Sequence, residues 1–253
     1  MRNRYIMLLP VLAAVPAMAV PTTDYDADSG VLPNVAGEIF EGGTTGAPHL
    51  MSFVDLGGGD LVLNIDSQDV NNSPYFEKSN AQSPTTWNVN RATGFSIEFR
   101  ARMDSVEATE AGSFDVIFGS PDRGTSLRLT RAAAGGAATA IFKSAFNNTV
   151  LGTTGIANPD DFHTFRVDVL NDDIDLYIDN VLTIDNAQDP AASALHILRF
   201  GDGTGAGDGN YQVQFIRTYQ SGIVPEPGTL AVVSLAGLFL QRRATSHGTR
   251  SLA

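Results

Sequence analysis

Carboxylates carry most of the chemistry this chain could perform: it holds 28 Asp and Glu against 16 Lys and Arg, with four His and no Cys. Two acidic stretches have the make-up of oxygen-ligand loops. Asp24, Asp26 and Asp28 alternate near the start, and Asp202 and Asp208 flank a Gly-rich run before the last strand-like segment. Calcium takes roughly six to eight oxygen ligands from carboxylates and carbonyls. If the first and last strands of the fold are neighbours, Asp24, Asp26, Asp202 and Asp208 could share one such ion; the alternative is a pair of solvated acidic loops. Glycosidic cleavage makes a stricter demand, two carboxyl groups about 5 to 5.5 Å apart for a retaining reaction. On one strand they must occupy alternate positions to reach the same face. Glu98 is followed two residues on by Arg100, and Asp173, Asp175 and Asp179 border a turn, where they read as solvating a strand edge. His49, His163, His196 and His247 have neither zinc-site spacing nor a nucleophile to serve, and no Gly-x-Ser-x-Gly elbow occurs. These patterns predict a non-catalytic chain. Sugar binding needs an aromatic face with polar neighbours, for which Trp87, Tyr75, Tyr177 and Tyr211 are the candidates. Trp87 has Thr and Asn neighbours and could stack on a sugar or plug the end of a core. Tyr177 lies opposite Ile174, Leu176 and Ile178 by parity, beside Asp175 and Asp179, which makes it the best surface aromatic.

The elements that must position these groups are strands. Phe95, Ile97, Phe99, Ala101 and Met103 alternate with Ser96, Glu98, Arg100 and Arg102, the period of a half-buried strand. Further alternations run through 60–65, 113–118, 125–131, 137–146, 162–170, 174–178 and 211–219, separated by Gly, Asn, Asp and Pro clusters. Asp179-Asn180 tolerates the positive φ of a tight turn and predicts a hairpin between 173–178 and 181–184. No segment between the termini carries a helical stripe. Many short strands at regular spacing predict one all-β domain, a sandwich of two antiparallel sheets.

Both ends read as addresses. Arg2 and Arg4 precede the apolar stretch 6–15, and Ala17-Met18-Ala19 has the small-x-small pattern cut by a signal peptidase, so residues 1–19 are expected to be a signal peptide. At the other end Pro225-Glu226-Pro227 opens onto the uncharged apolar run 229–240, closed by Arg242 and Arg243. About a dozen residues fall short of the ~20 that a spanning helix needs, and the Arg pair would be held at a cytoplasmic face. That layout suits transient membrane anchoring followed by cleavage. The three parts in this order resemble the PEP-CTERM sorting signal, although 244–253 extend beyond the usual end. The resemblance implies processing by the membrane peptidase exosortase, a short apolar helix, and a place at the cell surface or outside a Gram-negative bacterium. The expected organisation is a signal peptide at 1–19, a sandwich at 20–222 and a sorting segment at 223–253.

Removing residues 1–19 and 225–253 takes away five Arg and one Glu, leaving 11 basic against 27 acidic residues and a net charge of −16. Such a surface repels nucleic acid and leaves divalent cations and neutral glycans open. The segments Gly94–Arg100, Phe162–Val167, Asp175–Asn180 and Leu198–Asp202 resemble, in order and spacing, successive strands of the concanavalin A-like, laminin-G-like jelly roll. The start, Asp24-Tyr25-Asp26 and Gly30-Val31-Leu32-Pro33, resembles bacterial members of the same superfamily. That resemblance implies a curved two-sheet sandwich, among whose members are lectins, polysaccharide hydrolases and adhesive modules. The Glu-x-Asp-x-x-Glu and Glu-x-Asp-x-Glu strands of its glucanase branch are missing here. The expectation is therefore an exported, non-catalytic surface or matrix protein that recognises a polysaccharide, with a hydrolase of the same fold or a purely structural, adhesive protein as alternatives.

Overall fold

The computed structural model describes residues 21–33, 41–42, 51–66, 75–79, 87–106, 112–131, 136–189, 196–201, 209–220 and 222–224. Residues 19–224 form one compact unit. The expected signal peptide with Ala17 and Ala19, the expected sorting segment with Pro225, Glu226, Pro227, Arg242 and Arg243, and the acidic residues Asp202 and Asp208 lie outside the described residues.

Fifteen strands are described. Strand β1 (Thr22–Asp26) runs into a 3-10 turn at Ala27–Ser29, and β2 (Glu41–Gly42) is a short edge piece. β3 (Met51–Asp55) and β4 (Leu61–Asp66) form a hairpin, followed by β5 (Tyr75–Ser79) and the long β6 (Phe95–Val106). A meander follows in β7 (Gly112–Gly119), β8 (Gly124–Arg131), β9 (Ala138–Ser144) and β10 (Val150–Ile156). A second comprises β11 (His163–Leu170), β12 (Asp173–Ile178) and β13 (Val181–Gln188), before β14 (Ile197–Gly201) and β15 (Gly209–Tyr219). The pairings are antiparallel and make two sheets. One has the order β13-β12-β11-β6-β15-β4-β3, with β1 also on β15; the other has the order β10-β9-β8-β7-β14-β5-β2. The chain is thus an all-β, two-sheet antiparallel sandwich of the jelly-roll kind, as its alternation predicts. The hairpin at Asp179-Asn180 is present too, with φ of 51° and 66° at the two residues.

The core lies between the sheets. Phe95, Ile97, Phe99, Ala101 and Met103 are all at most 3% exposed. Phe99 stacks on Phe165 of its own sheet at 5.1 Å and reaches Phe114 of the other at 6.0 Å; Phe114 in turn meets Phe200 and Tyr211. Each such ring stabilises the fold by roughly 1.5–3 kcal/mol through burial.

An ion pair is enclosed with them. Lys78 shares the inward face of β5 with Phe76, and its Nζ meets Asp24 Oδ1 at 2.6 Å, both side chains being fully buried. Thr218 of β15 also donates to Asp24. Asp24 can turn inward because β1 slips register against β15 between Thr23 and Tyr25, leaving Asp24 as the extra residue. Such a bulge lets two consecutive side chains point the same way. This corrects the expectation for Asp24 as a calcium ligand: its oxygens are taken by Lys78 and Thr218. Asp26 Oδ1 instead caps the 3-10 turn through the Asp28 amide at 3.1 Å.

His163, at the other end of β11, clasps the β12–β13 hairpin. Its Nδ1 lies 2.6 Å from Asp179 Oδ2 and its Nε2 3.0 Å from the Asn158 carbonyl, so both ring nitrogens face acceptors, an arrangement that suits the imidazolium. Burial works to lower the His163 pKa, but Asp179 and the carbonyls of Asn158 and Ala157 outweigh it, and the net shift is upward.

Two predictions follow from these charges. Asp24→Ala should cost about 3–5 kcal/mol by stranding the Lys78 charge, whereas Asp24→Leu combined with Lys78→Met should recover most of that in urea melts. A single-variant loss below about 1 kcal/mol would show that the pair constrains little. Because the folded His163 pKa is raised, its contribution is complete below the unfolded value near 6.5 and fades as pH rises through the folded one. The melting-temperature gap between wild type and His163→Gln should therefore narrow from pH 6 to pH 9; a widening gap would contradict the clasp.

Candidate functional site

The loops around Arg91 border an open cavity of about 570 Å3 lined by Asn88, Val89, Asn90, Arg91, Ala92, Pro121, Asp122, Asn171 and Asp172. Three turns build it. In the first, buried and exposed residues alternate from Trp87 to Arg91, so Trp87, Val89 and Arg91 point inward while Asn88 and Asn90 face the cavity side. Asn90 then closes a turn: its Oδ1 accepts from the Ala92 amide at 2.9 Å and its carbonyl from Thr93. Gly94 follows at φ 78°, where an added Cβ would meet Ile223 at 3.1 Å and Leu170 at 3.3 Å, so only glycine suits this approach. The second turn is Ser120–Arg123, closed by the Ser120 amide on the Arg123 carbonyl at 2.8 Å. The third is the β11–β12 connection, in which Asn171 takes φ 55° and its amide donates to the Arg91 carbonyl at 2.8 Å.

Arg91, 5% exposed, holds the three together. Its Nε donates to Ser120 Oγ at 3.1 Å, Nη1 to the Asn171 carbonyl at 3.4 Å and Nη2 to Thr125 Oγ1 at 3.4 Å. The two hydroxyls pass the charge on to carboxylates, Ser120 donating to Asp122 at 2.7 Å and Thr125 to the buried Asp189 at 3.0 Å. Burial pulls the Arg91 pKa down, against the pull of Asp122, Asp189 and Asp172. The Ser120 hydrogen bond holds the Asp122 carboxyl below its usual range, with help from Arg91 and Arg123. Arg123 spends its own Nη1 on Asp172 at 2.6 Å and on the Asp189 carbonyl at 2.7 Å.

The sequence candidates fall elsewhere or in other roles. Trp87 is 1% exposed, donates Nε1 to the Gly119 carbonyl at 2.7 Å and packs edge-on against Phe95 at 5.9 Å. It is a core plug that anchors the loop carrying Asn88, the second of the two roles its neighbours allow, and it offers no sugar platform. Tyr177 does lie on the outer face, as parity predicts, yet it is 6% exposed because Arg166, its register partner on β11, places its guanidinium 3.9 Å from the ring centroid. It is a covered ring, and the reading of an open sugar face is corrected too. Tyr75 carries Arg199 in the same way at 4.1 Å, and Tyr211 is in the core. Glu98 pairs with Arg217 at 3.6 Å, not with Arg100. Asp173, Asp175 and Asp179 bind Gln188, the Asn186 amide, and His163 with the Thr164 amide, respectively, and so brace strands. Among the described residues no group of three or more His, Cys, Asp or Glu side chains is placed to share a metal ion. The cavity residues stand in Asn, Asp, Pro and Gly clusters that in the sequence mark only turns; their adjacency is a product of the fold.

No family model and no curated protein matches this sequence. Among solved structures, a carbohydrate esterase from the Shiga toxin-encoding bacteriophage phi24B aligns with a TM-score of 0.55 at 16% identity, over 80% of this chain and 100% of that one. The binding domain of Paraclostridial mosquitocidal protein 1 aligns at 0.47 and 13%, over 75% of this chain and 46% of that chain. An alginate lyase of polysaccharide lyase family 7 aligns at 0.47 and 10%, over 68% and 82%. The likeness to the phage esterase is one of fold, and the fold is the two-sheet jelly-roll sandwich described above.

Proposed function

We propose that this chain is an exported protein of a Gram-negative cell surface or matrix, cut by signal peptidase and sorted by exosortase, whose sandwich recognises a glycan without cleaving it. The observation that carries the glycan reading is the polar make-up of the Arg91 cavity. Asn88, Asn90 and Asn171 bring planar amides, Asp122 and Asp172 bring carboxylates, and Val89, Ala92 and Pro121 supply short apolar surface. Sugar hydroxyls donate and accept, so a site of mixed amides and carboxylates can pair both functions; its described lining holds no aromatic ring, so the pairing of hydroxyls takes the place of the aromatic face expected from the sequence. The volume is within the range of small-ligand pockets. The fold shared with a carbohydrate esterase agrees with a saccharide ligand without specifying one.

The electrostatics favour binding over hydrolysis. A glycosidase needs one carboxyl that keeps its proton near neutrality, but Asp122 is shifted toward the ionised form. The carboxyl of Asp115 is shifted the other way, by burial, and it is locked in a two-point pair with Arg128 at 2.8 and 2.9 Å on the outer face of the seven-stranded sheet. The export and sorting part rests on the Ala17-Met18-Ala19 and Pro225-Glu226-Pro227 patterns.

Retention of the purified full-length chain on insoluble and arrayed polysaccharides, with reducing sugar assayed in parallel, tests the molecular role. Retention without sugar release is expected, and Asn88→Ala with Asn171→Ala should weaken it about tenfold, as two lost hydrogen bonds would. Released sugar, or full retention by the double variant, would overturn the reading. For sorting, replacing Pro225-Glu226-Pro227 by alanines should leave a membrane-associated precursor in a host with exosortase; unchanged processing would defeat that part.

A further inference from the structure

We infer that the Arg91 cavity selects uncharged saccharides and turns away acidic ones such as uronates and sulfated sugars, with Asp122 as the residue that sets the preference. This rests on the reading of the cavity as a glycan site. The cationic groups at the cavity are consumed inside the protein. Arg91 turns its three nitrogens to Ser120, Thr125 and the Asn171 carbonyl, and Arg123 is held by Asp172 and the Asp189 carbonyl. What faces the opening is acidic: the side chains of Asp122 and Asp172 are 63% and 59% exposed. Asp122 uses Oδ1 for Ser120, and its Oδ2 is only loosely approached by Arg123 at 4.0 Å.

The remaining groups suit hydroxyls. Among the described residues no partner binds the side-chain amides of Asn88 and Asn171, and Asn90 directs its oxygen to the Ala92 amide, which leaves its NH2 as a donor. A hydroxyl can donate to Asp122 or Asp172 and accept from these amides in the same pose. A carboxylate or sulfate entering that mouth would meet the exposed charge of Asp122, which no guanidinium approaches closer than 4.0 Å, beside an Asp172 already paired with Arg123. Like charges a few ångströms apart in a partly solvated site repel enough to weaken binding about tenfold. The net charge of −16 outside the two termini acts in the same direction at longer range.

The test measures retention of the full-length chain on laminarin and cellulose against alginate and polygalacturonate, at low and at moderate salt. Wild type should hold at least one neutral polymer and bind the acidic ones about tenfold or more weakly, with the gap closing as salt screens the mouth. Asp122→Asn keeps the Ser120 hydrogen bond and should narrow the gap at low salt; Asp122→Ser serves as a second variant, and both are checked for an unchanged melting temperature. Equal or stronger retention on the acidic polymers, or a gap that neither variant alters, would overturn the inference and leave the glycan reading standing. Retention on none of the four polymers, nor on any wider panel, would remove the glycan reading and the inference with it.

Discussion

One fully enclosed ion pair ties the two sheets of the sandwich together. Lys78 sits where a strand alternation places an apolar side chain, and the protein accommodates it by bringing Asp24 to it across the interior at 2.6 Å. An unpaired ammonium there would carry a desolvation cost of several kcal/mol. Neutralising it requires β1 to lie on β15 with its bulge at Asp24, and β5 to lie opposite in the other sheet. Thr218 adds a hydrogen bond from the last strand. The first strand, the last strand and the far sheet are therefore fixed in register by one ion pair, and slipping β1 by one residue would bury Lys78 alone. An apolar pair of similar volume could be as stable; what the charges add here is a penalty on the wrong alignment.

A second regularity concerns the outward faces. Four rings on the outer surfaces are covered by a guanidinium: Phe162 by Arg102 at 4.8 Å, Tyr177 by Arg166 at 3.9 Å, Phe215 by Arg217 at 3.9 Å and Tyr75 by Arg199 at 4.1 Å, whereas Phe146 stands 69% exposed. Such contacts contribute about 0.5–1 kcal/mol each at exposed sites. Their larger effect is to occupy the π faces on which a sugar ring would stack. The polar groups of the loop end around Arg91 border open space without such a cover.

How much of this is legible in the residues depends on whether the signal is local. The alternation from Phe95 to Met103 and the turn pair Asp179-Asn180 are local, and both elements are where the pattern places them. Parity also assigns Tyr177 to the correct face. That Arg166 covers it is a cross-strand fact, visible only once β11 and β12 are paired. Asp24 fails for a related reason: a bulge changes the parity of β1, and nothing in Thr22–Asp26 announces it. Trp87 was ambiguous because its neighbours suit either a platform or a plug, and the decision came from the Gly119 carbonyl 32 residues away. The cavity is the extreme case, assembled from turns around residues 90, 121 and 171 through one guanidinium.

Those turns also brace the cavity. Arg91 is tied by its backbone to Gly94 and Asn171 and by its side chain to Ser120, Thr125 and Asn171, so the amides around it are presented from fixed backbone. The end of the sandwich is built into the same turn: the Gly222 amide donates to the Gly94 carbonyl at 3.0 Å, and the Val224 amide to Ser96 Oγ at 3.1 Å. Gly94, confined by Ile223 and Leu170, thus joins the cavity loop to the residues that immediately precede Pro225. A disturbance at the exit of the domain would reach the cavity through two hydrogen bonds, whereas the enclosed Lys78–Asp24 pair holds the two sheets independently of it. The cavity loops and residues 222–224 therefore share one mechanical support, separate from the Lys78–Asp24 pair.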